Sequence, residues 1–103
     1  MSSKIAIRAE RPSDGEICAD VLSRAWTSSA NNTPRNVGLR DFRELTAGEL
    51  LLVAADSDRA IGFISVWQPS WFVHHLFVAP EYQGMSVGSR LVDHVARLAG
   101  AQT

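Results

Sequence analysis

The sequence predicts an α/β (α+β) chain forming a single domain over residues 1–103. Three observations carry that prediction. Short apolar runs rich in β-branched residues alternate with helical stripes, in the order strand, helix, helix, strand, strand, strand, helix. A chain of 103 residues holds one core and buries roughly two-thirds of its unfolded surface. Finally, Trp71 to Leu98, WFVHHLFVAPEYQGMSVGSRLVDHVARL, joins a strand to a helix through a glycine-bearing loop, and the other elements are organised around it.

The first strand runs from Lys4 to Ala9 and alternates about Ile5 and Ile7. Pro12 and Ser13 end it, and Ser13 with Glu16 makes an S-x-x-E capping box that opens a helix. Ile17, Val21, Leu22 and Ala25 form the apolar stripe of that helix, with Cys18 at its margin. Cys18 reads as a small core residue, because neither a base nor a cation is evident beside it. Ser28 to Gly38 is a polar, turn-rich connector. A short helix is expected from about Leu39 to Ala47, with Gly48 as its stop. Leu50 to Ala55 and Ile61 to Trp67 read as strands about a tight turn at Asp56 to Arg59. Gly62 weakens the second of these locally or permits close packing. The next strand, Trp71 to Val78, is stopped by Ala79 and Pro80, since proline gives no N–H to a ladder. After the loop Glu81 to Met85, Val87, Leu91, Val95 and Leu98 make one helical stripe.

Strand, loop and helix are the parts of an anion site. The first amides of a helix lack internal partners, and the dipole adds partial positive charge there. Gly84 and Gly88 are four apart, which excludes the GxGxxG dinucleotide fingerprint, and no lysine follows Gly88, which excludes the P-loop. The segment Gln83, Gly84, Met85, Ser86, Val87, Gly88 instead resembles the acyl-CoA loop of the GNAT superfamily of N-acetyltransferases, [QR]-x-x-G-x-[GA]. The strand HHLFVAPEY before it and SRLVDHV after it also look like that family. Two positions depart from the family's habit: Ser86 stands where glycine is usual, and Met85 where a lysine or arginine is common. Both departures point to a weakened phosphate contact. A strand-to-helix turn with two glycines and no ligand is the alternative.

The resemblance implies a mostly antiparallel sheet flanked by helices and truncated after the acyl-CoA-binding helix, lacking the C-terminal third of the fold. It implies acetyl-CoA as co-substrate, with pantetheine along the backbone of Leu76, Phe77 and Val78 and pyrophosphate on the amides of Gln83, Gly84, Met85, Ser86, Val87, Gly88 and Ser89. A backbone N–H near Leu76 or Phe77 would polarise the thioester. A base is then wanted beside it, and His74 or His75 is the candidate; the alternative is that both are structural, one packed in the strand and the other at the sheet margin. Adjacent strand residues point to opposite faces, so only one of the two is expected to serve, the other packing against the sheet. His94 reads as a surface residue, and no metal is expected. Tyr82 adjoins the pyrophosphate loop, roughly 16–20 Å from the thioester at about 3.3 Å per residue, so it is not the acid that protonates the thiolate.

Two functions follow. One is acetyl transfer to a primary amine of a small molecule or peptide. The other is a catalytically inactive relative that binds CoA or self-associates. Without a following strand, Trp71 to Val78 is expected to present an apolar edge, so a homodimer through this strand or the last helix is expected. A net charge of −1 with scattered arginines excludes a nucleic-acid partner. No apolar run approaches a membrane span, the start MSSK lacks a signal peptide's apolar core, and the single cysteine fits a cytoplasmic setting.

Overall fold

Alternation along the strands decides which side chains each face of the sheet receives. In the computed structural model, which describes residues 4–28 and 36–101, the elements are β1 (Ile5–Ala9), a 3-10 turn (Pro12–Asp14) running into α1 (Gly15–Ser28), α2 (Leu39–Leu45), β2 (Leu50–Asp56), β3 (Arg59–Trp67), β4 (Phe72–Val78), a second 3-10 turn (Pro80–Tyr82) and α3 (Val87–Ala101). The four strands pair in sequence order and every pairing is antiparallel. The expected α+β order and antiparallel sheet are both present. Most of the polar connector, residues 29–35, lies outside the described residues.

On one face Val53 and Phe63 meet Cys18, Val21, Leu22 and Phe42 of α1 and α2. Phe42 and Phe63 pack edge to face with ring centroids 5.2 Å apart, a geometry the ring quadrupoles favour. On the other face Leu52, Ala54, Ile61, Ile64 and Val66 receive the stripe Val87, Leu91 and Val95 of α3. Helices therefore cover both faces, and β4 forms one edge. Among the described residues no strand pairs with its outer side.

Turn chemistry sets the registers. Ser57 and Asp58 both adopt positive φ, 50° and 76°, the backbone of a two-residue hairpin whose twist suits its strands. Gly62 lies opposite Val78, and a Cβ added there would stand 3.2 Å from the Phe77 carbonyl oxygen. Close packing is the reason for this glycine. Farther along the same pair Ser65 faces His75 but Val66 faces Val73, which leaves His74 as an extra residue in β4. That is a β-bulge, and it re-aims side chains.

The start of α1 differs from the expected Ser13–Glu16 box. The chain turns earlier, and the Arg11 N–H donates to Asp14 Oδ2 at 2.7 Å. Asp14 also takes two bonds from the Arg8 guanidinium, at 2.7 and 3.1 Å. The carboxylate is only 4% exposed, so its charge is held by these donors. Hydrogen bonding from Arg8 holds the Asp14 carboxyl below the usual carboxylate range. Cys18 is wholly buried, and burial pushes its thiol up to about 12. It is a core residue, as expected.

Candidate functional site

The loop between β4 and α3 is shaped by two left-handed residues, Gly84 at φ 83° and Ser86 at φ 63°. Glycine adopts that region without strain and serine does not. Between them the chain reverses and delivers the first turn of α3. The Arg90 N–H bonds to the Ser86 carbonyl, so by helix geometry the preceding amides of Val87, Gly88 and Ser89 have no acceptor within the helix. These residues, with Val78, Tyr82, Gln83, Gly84 and Ser86, line a groove of about 360 Å³. A Cβ added to Gly88 would stand 3.9 Å from Leu76 Cδ2 and Val78 Cγ2. Gly88 thus keeps the wall between α3 and β4 low. The amides and positive dipole end of α3 suit an anion, and the apolar strand beside them suits a slender chain.

Side chains fix this loop to the sheet. Gln83 Nε2 donates to the Val78 carbonyl at 3.1 Å, and the Tyr82 hydroxyl donates to Asp56 Oδ2 at the end of β2. The bond to Asp56 pushes the Tyr82 phenol above its ordinary pKa, which keeps it a neutral donor. Glu81 pairs with Arg24 of α1 at 2.8 Å. Met85 is half exposed at the loop tip.

The ladder phase decides which groups of β4 face outward. The Ala79 N–H bonds to the Ile61 carbonyl at 2.8 Å. Alternation in an antiparallel pair then makes Phe77 and Phe63 a hydrogen-bonded couple and turns the main chain of Leu76 and Val78 to the outer edge. With the Val78 carbonyl taken by Gln83, the Leu76 N–H and C=O and the Val78 N–H remain toward that edge. The Phe77 ring points into the α1–α2 core, 5.9 Å from the Phe63 ring.

Upstream of Leu76 lies a second constellation. The bulge brings the rings of His74 and His75 side by side, centroids 4.0 Å apart. The expectation that they occupy opposite faces fails here, because strict alternation stops where an extra residue enters the strand. Both rings approach Glu49, in the turn between α2 and β2. His74 Nδ1 lies 2.6 Å from Glu49 Oε2, and His75 Nδ1 lies 3.9 Å from Glu49 Oε1. A carboxylate only accepts, so His74 Nδ1 carries a proton, and in the neutral ring the lone pair is on Nε2. Ser65 Oγ stands 2.9 Å from His75 Nδ1. The Glu49 side chain is 7% exposed and His74 is 48% exposed, so the ring reaches solvent while its anchor does not.

Sequence reasoning did not single out Glu49. Gly48, at φ 78°, marks the turn that aims it, but a turn glycine alone points to no partner. His94 lies elsewhere, in a groove with Ile7, Arg90, Asp93 and Arg97 on α3.

Residues 16–102 match the model of the Acetyltransferase (GNAT) family. Solved structures share the fold. The GCN5-related N-acetyltransferase from Rhodopseudomonas palustris is 26% identical with TM-score 0.81, over 99% of this chain and 70% of that one. A GNAT family acetyltransferase from Brucella melitensis, solved with acetyl-CoA, is 24% identical with TM-score 0.69, over 95% and 70%. The PaiA N-acetyltransferase from Thermoplasma acidophilum, solved with coenzyme A, is 19% identical with TM-score 0.75, over 96% and 74%. No curated protein is significantly similar in sequence.

Proposed function

Because the chain belongs to the acetyltransferase (GNAT) family, we propose that it transfers an acetyl group from acetyl-CoA to a primary amine of a small molecule or peptide. The observation that carries this reading is the groove between β4 and α3, in which helix amides and an open strand edge meet at one place. Proteins of the same fold were solved with acetyl-CoA and with coenzyme A.

On this reading the loop from Gln83 to Ser89 binds the pyrophosphate through backbone N–H groups. Leu76 and Val78 bond pantetheine as a neighbouring strand would. The Leu76 N–H donates to the thioester oxygen and stabilises its developing charge. The acceptor nitrogen forms the new N–C bond, the C–S bond breaks, and CoA leaves as its thiolate. The amine's surplus proton passes to His74 Nε2, directly or through one water. Glu49 holds the His74 ring in the tautomer that this step needs. Of the two histidines this assigns the base to His74, and His75 supports the ring beside it. The single cysteine, buried in the core, fits a cytoplasmic setting.

The test is thiol release from acetyl-CoA across a panel of primary amines. Amine-dependent release supports the transferase, and binding without release supports an inactive CoA-binding relative. One observation favours a self-associating form as a second reading: Phe72, Val73 and Leu76 are exposed along the outer edge of β4, and such an edge is a template for another copy. A homodimer paired through β4 would occupy the pantetheine groups, so acetyl-CoA should shift it toward monomer in sedimentation.

A further inference from the structure

Glu49 carries a buried carboxylate with only one oxygen provided for. Oε2 takes the His74 Nδ1–H bond, whereas Oε1 is buried and has no hydrogen-bond partner. A charged oxygen removed from water is costly unless a donor or a cation meets it. His75 Nδ1 lies 3.9 Å from this oxygen, beyond hydrogen-bond reach. One donor atom from each of Glu49, His74 and His75 lies within 4.8 Å of the others.

We propose that Glu49, His74 and His75 bind a divalent transition-metal ion, with Zn²⁺ the best chemical match. The two imidazoles are borderline ligands that suit zinc over magnesium or calcium, which prefer oxygen alone, and zinc accepts a carboxylate beside them. Zinc bonds of about 2.0–2.2 Å place tetrahedral donors about 3.3 Å apart. To reach that spacing the 2.6 Å contact between His74 Nδ1 and Glu49 Oε2 gives up its proton and opens while the longer gaps, up to 4.8 Å, close; the half-exposed His74 ring on the bulge is the part that moves. Ser65 Oγ stands 2.9 Å from His75 Nδ1, so an ion bound through Nε2 would leave that contact in place as a support for the ring, whereas one bound through Nδ1 would displace it. Three protein donors leave a fourth position for water or an amine. The bulge makes this set possible, since an unbroken strand would separate the two rings. An ion here engages the same His74 side chain that takes the amine's proton, so it would restrain acetyl transfer and not drive it.

The inference is tested without acetyl-CoA, so its outcome is independent of the transferase reading. The full chain is titrated with Zn²⁺ by calorimetry and with Co²⁺ by visible absorption. One ion per chain, intense tetrahedral Co²⁺ bands, and at least a tenfold loss of affinity in Glu49→Gln and His75→Ala are expected. His74→Ala changes a half-exposed side chain and covers the case in which a buried substitution impairs folding; the same loss is expected. His94→Ala should leave affinity unchanged. Absence of binding at millimolar Zn²⁺ by folded protein overturns the proposal. So does binding that survives Glu49→Gln and His74→Ala in folded variants, or that disappears with His94→Ala.

Discussion

Along β4, Leu76 to Val78 border the loop Gln83 to Ser89, which follows within a few residues, whereas His74 and His75 border Glu49, 25 residues before His74. The first region is assembled from one continuous stretch by a glycine, a left-handed serine and a helix start. The second depends on a turn after α2, a neighbouring strand, and one extra residue in β4. The contrast separates two kinds of chemistry. Backbone amides hold an anion wherever a suitable loop meets a helix, but a proton acceptor needs side chains gathered from distant positions.

The largest expected effect breaks the second region and spares the first. His74→Ala and Glu49→Gln should each lower turnover by about 100-fold or more, with acetyl-CoA affinity by calorimetry within twofold of the parent. His75→Ala should lower turnover less. A parallel loss of affinity in all three would mean that the two regions are not separable.

Next in size is a change beneath both regions. Asp14→Ala should destabilise the fold by about 2–3 kcal/mol in denaturant melts, because it leaves the part-buried Arg8 guanidinium without its carboxylate. The sign of the pH dependence follows from the depressed folded-state pKa of Asp14. Its stabilisation is fully present above the unfolded value near ~3.9 and is lost as pH falls through the lower folded value. Asp14→Ala should therefore flatten the acid side of the stability profile, and an unchanged profile would remove Asp14 from that role.

Gly88→Val attacks the first region alone. Its side chain would project toward Leu76 and Val78 across the groove. At least a tenfold loss of CoA affinity is expected, about 1.4 kcal/mol, with the melting temperature little changed. Ser86→Gly is the smallest and has the opposite sign. Relieving a serine at φ 63° should stabilise the fold by up to about 1 kcal/mol, read by thermal melting, and preserve or improve affinity. A large affinity loss would instead make the serine hydroxyl a phosphate ligand.

The order of elements, the α3 stripe and the loop were legible because each is written in local periodicity or turn chemistry. Val87, Leu91 and Val95 repeat at helical spacing and are all buried. Gly62 could be read as a close approach because few other reasons place glycine in a strand. The cap of α1 was misread, since S-x-x-E at Ser13 competes with a geometry set by Arg8, which lies in β1. The pairing of His74 with His75 was also misread, because a bulge depends on how two strands align and leaves no local pattern. Glu49 was invisible for the same reason: its partners are known only once β2, β3 and β4 lie side by side.

The central claim is that the outer edge of β4 and the start of α3 together bind acetyl-CoA, and amide chemical shifts test it most directly. On titration of the ¹⁵N-labelled chain with acetyl-CoA, the largest shifts should fall on Leu76, Val78 and Gln83 to Ser89, with β1 and the far end of α3 quiet. Saturating shifts confined to other residues, or none at millimolar acetyl-CoA from a folded chain, would contradict it.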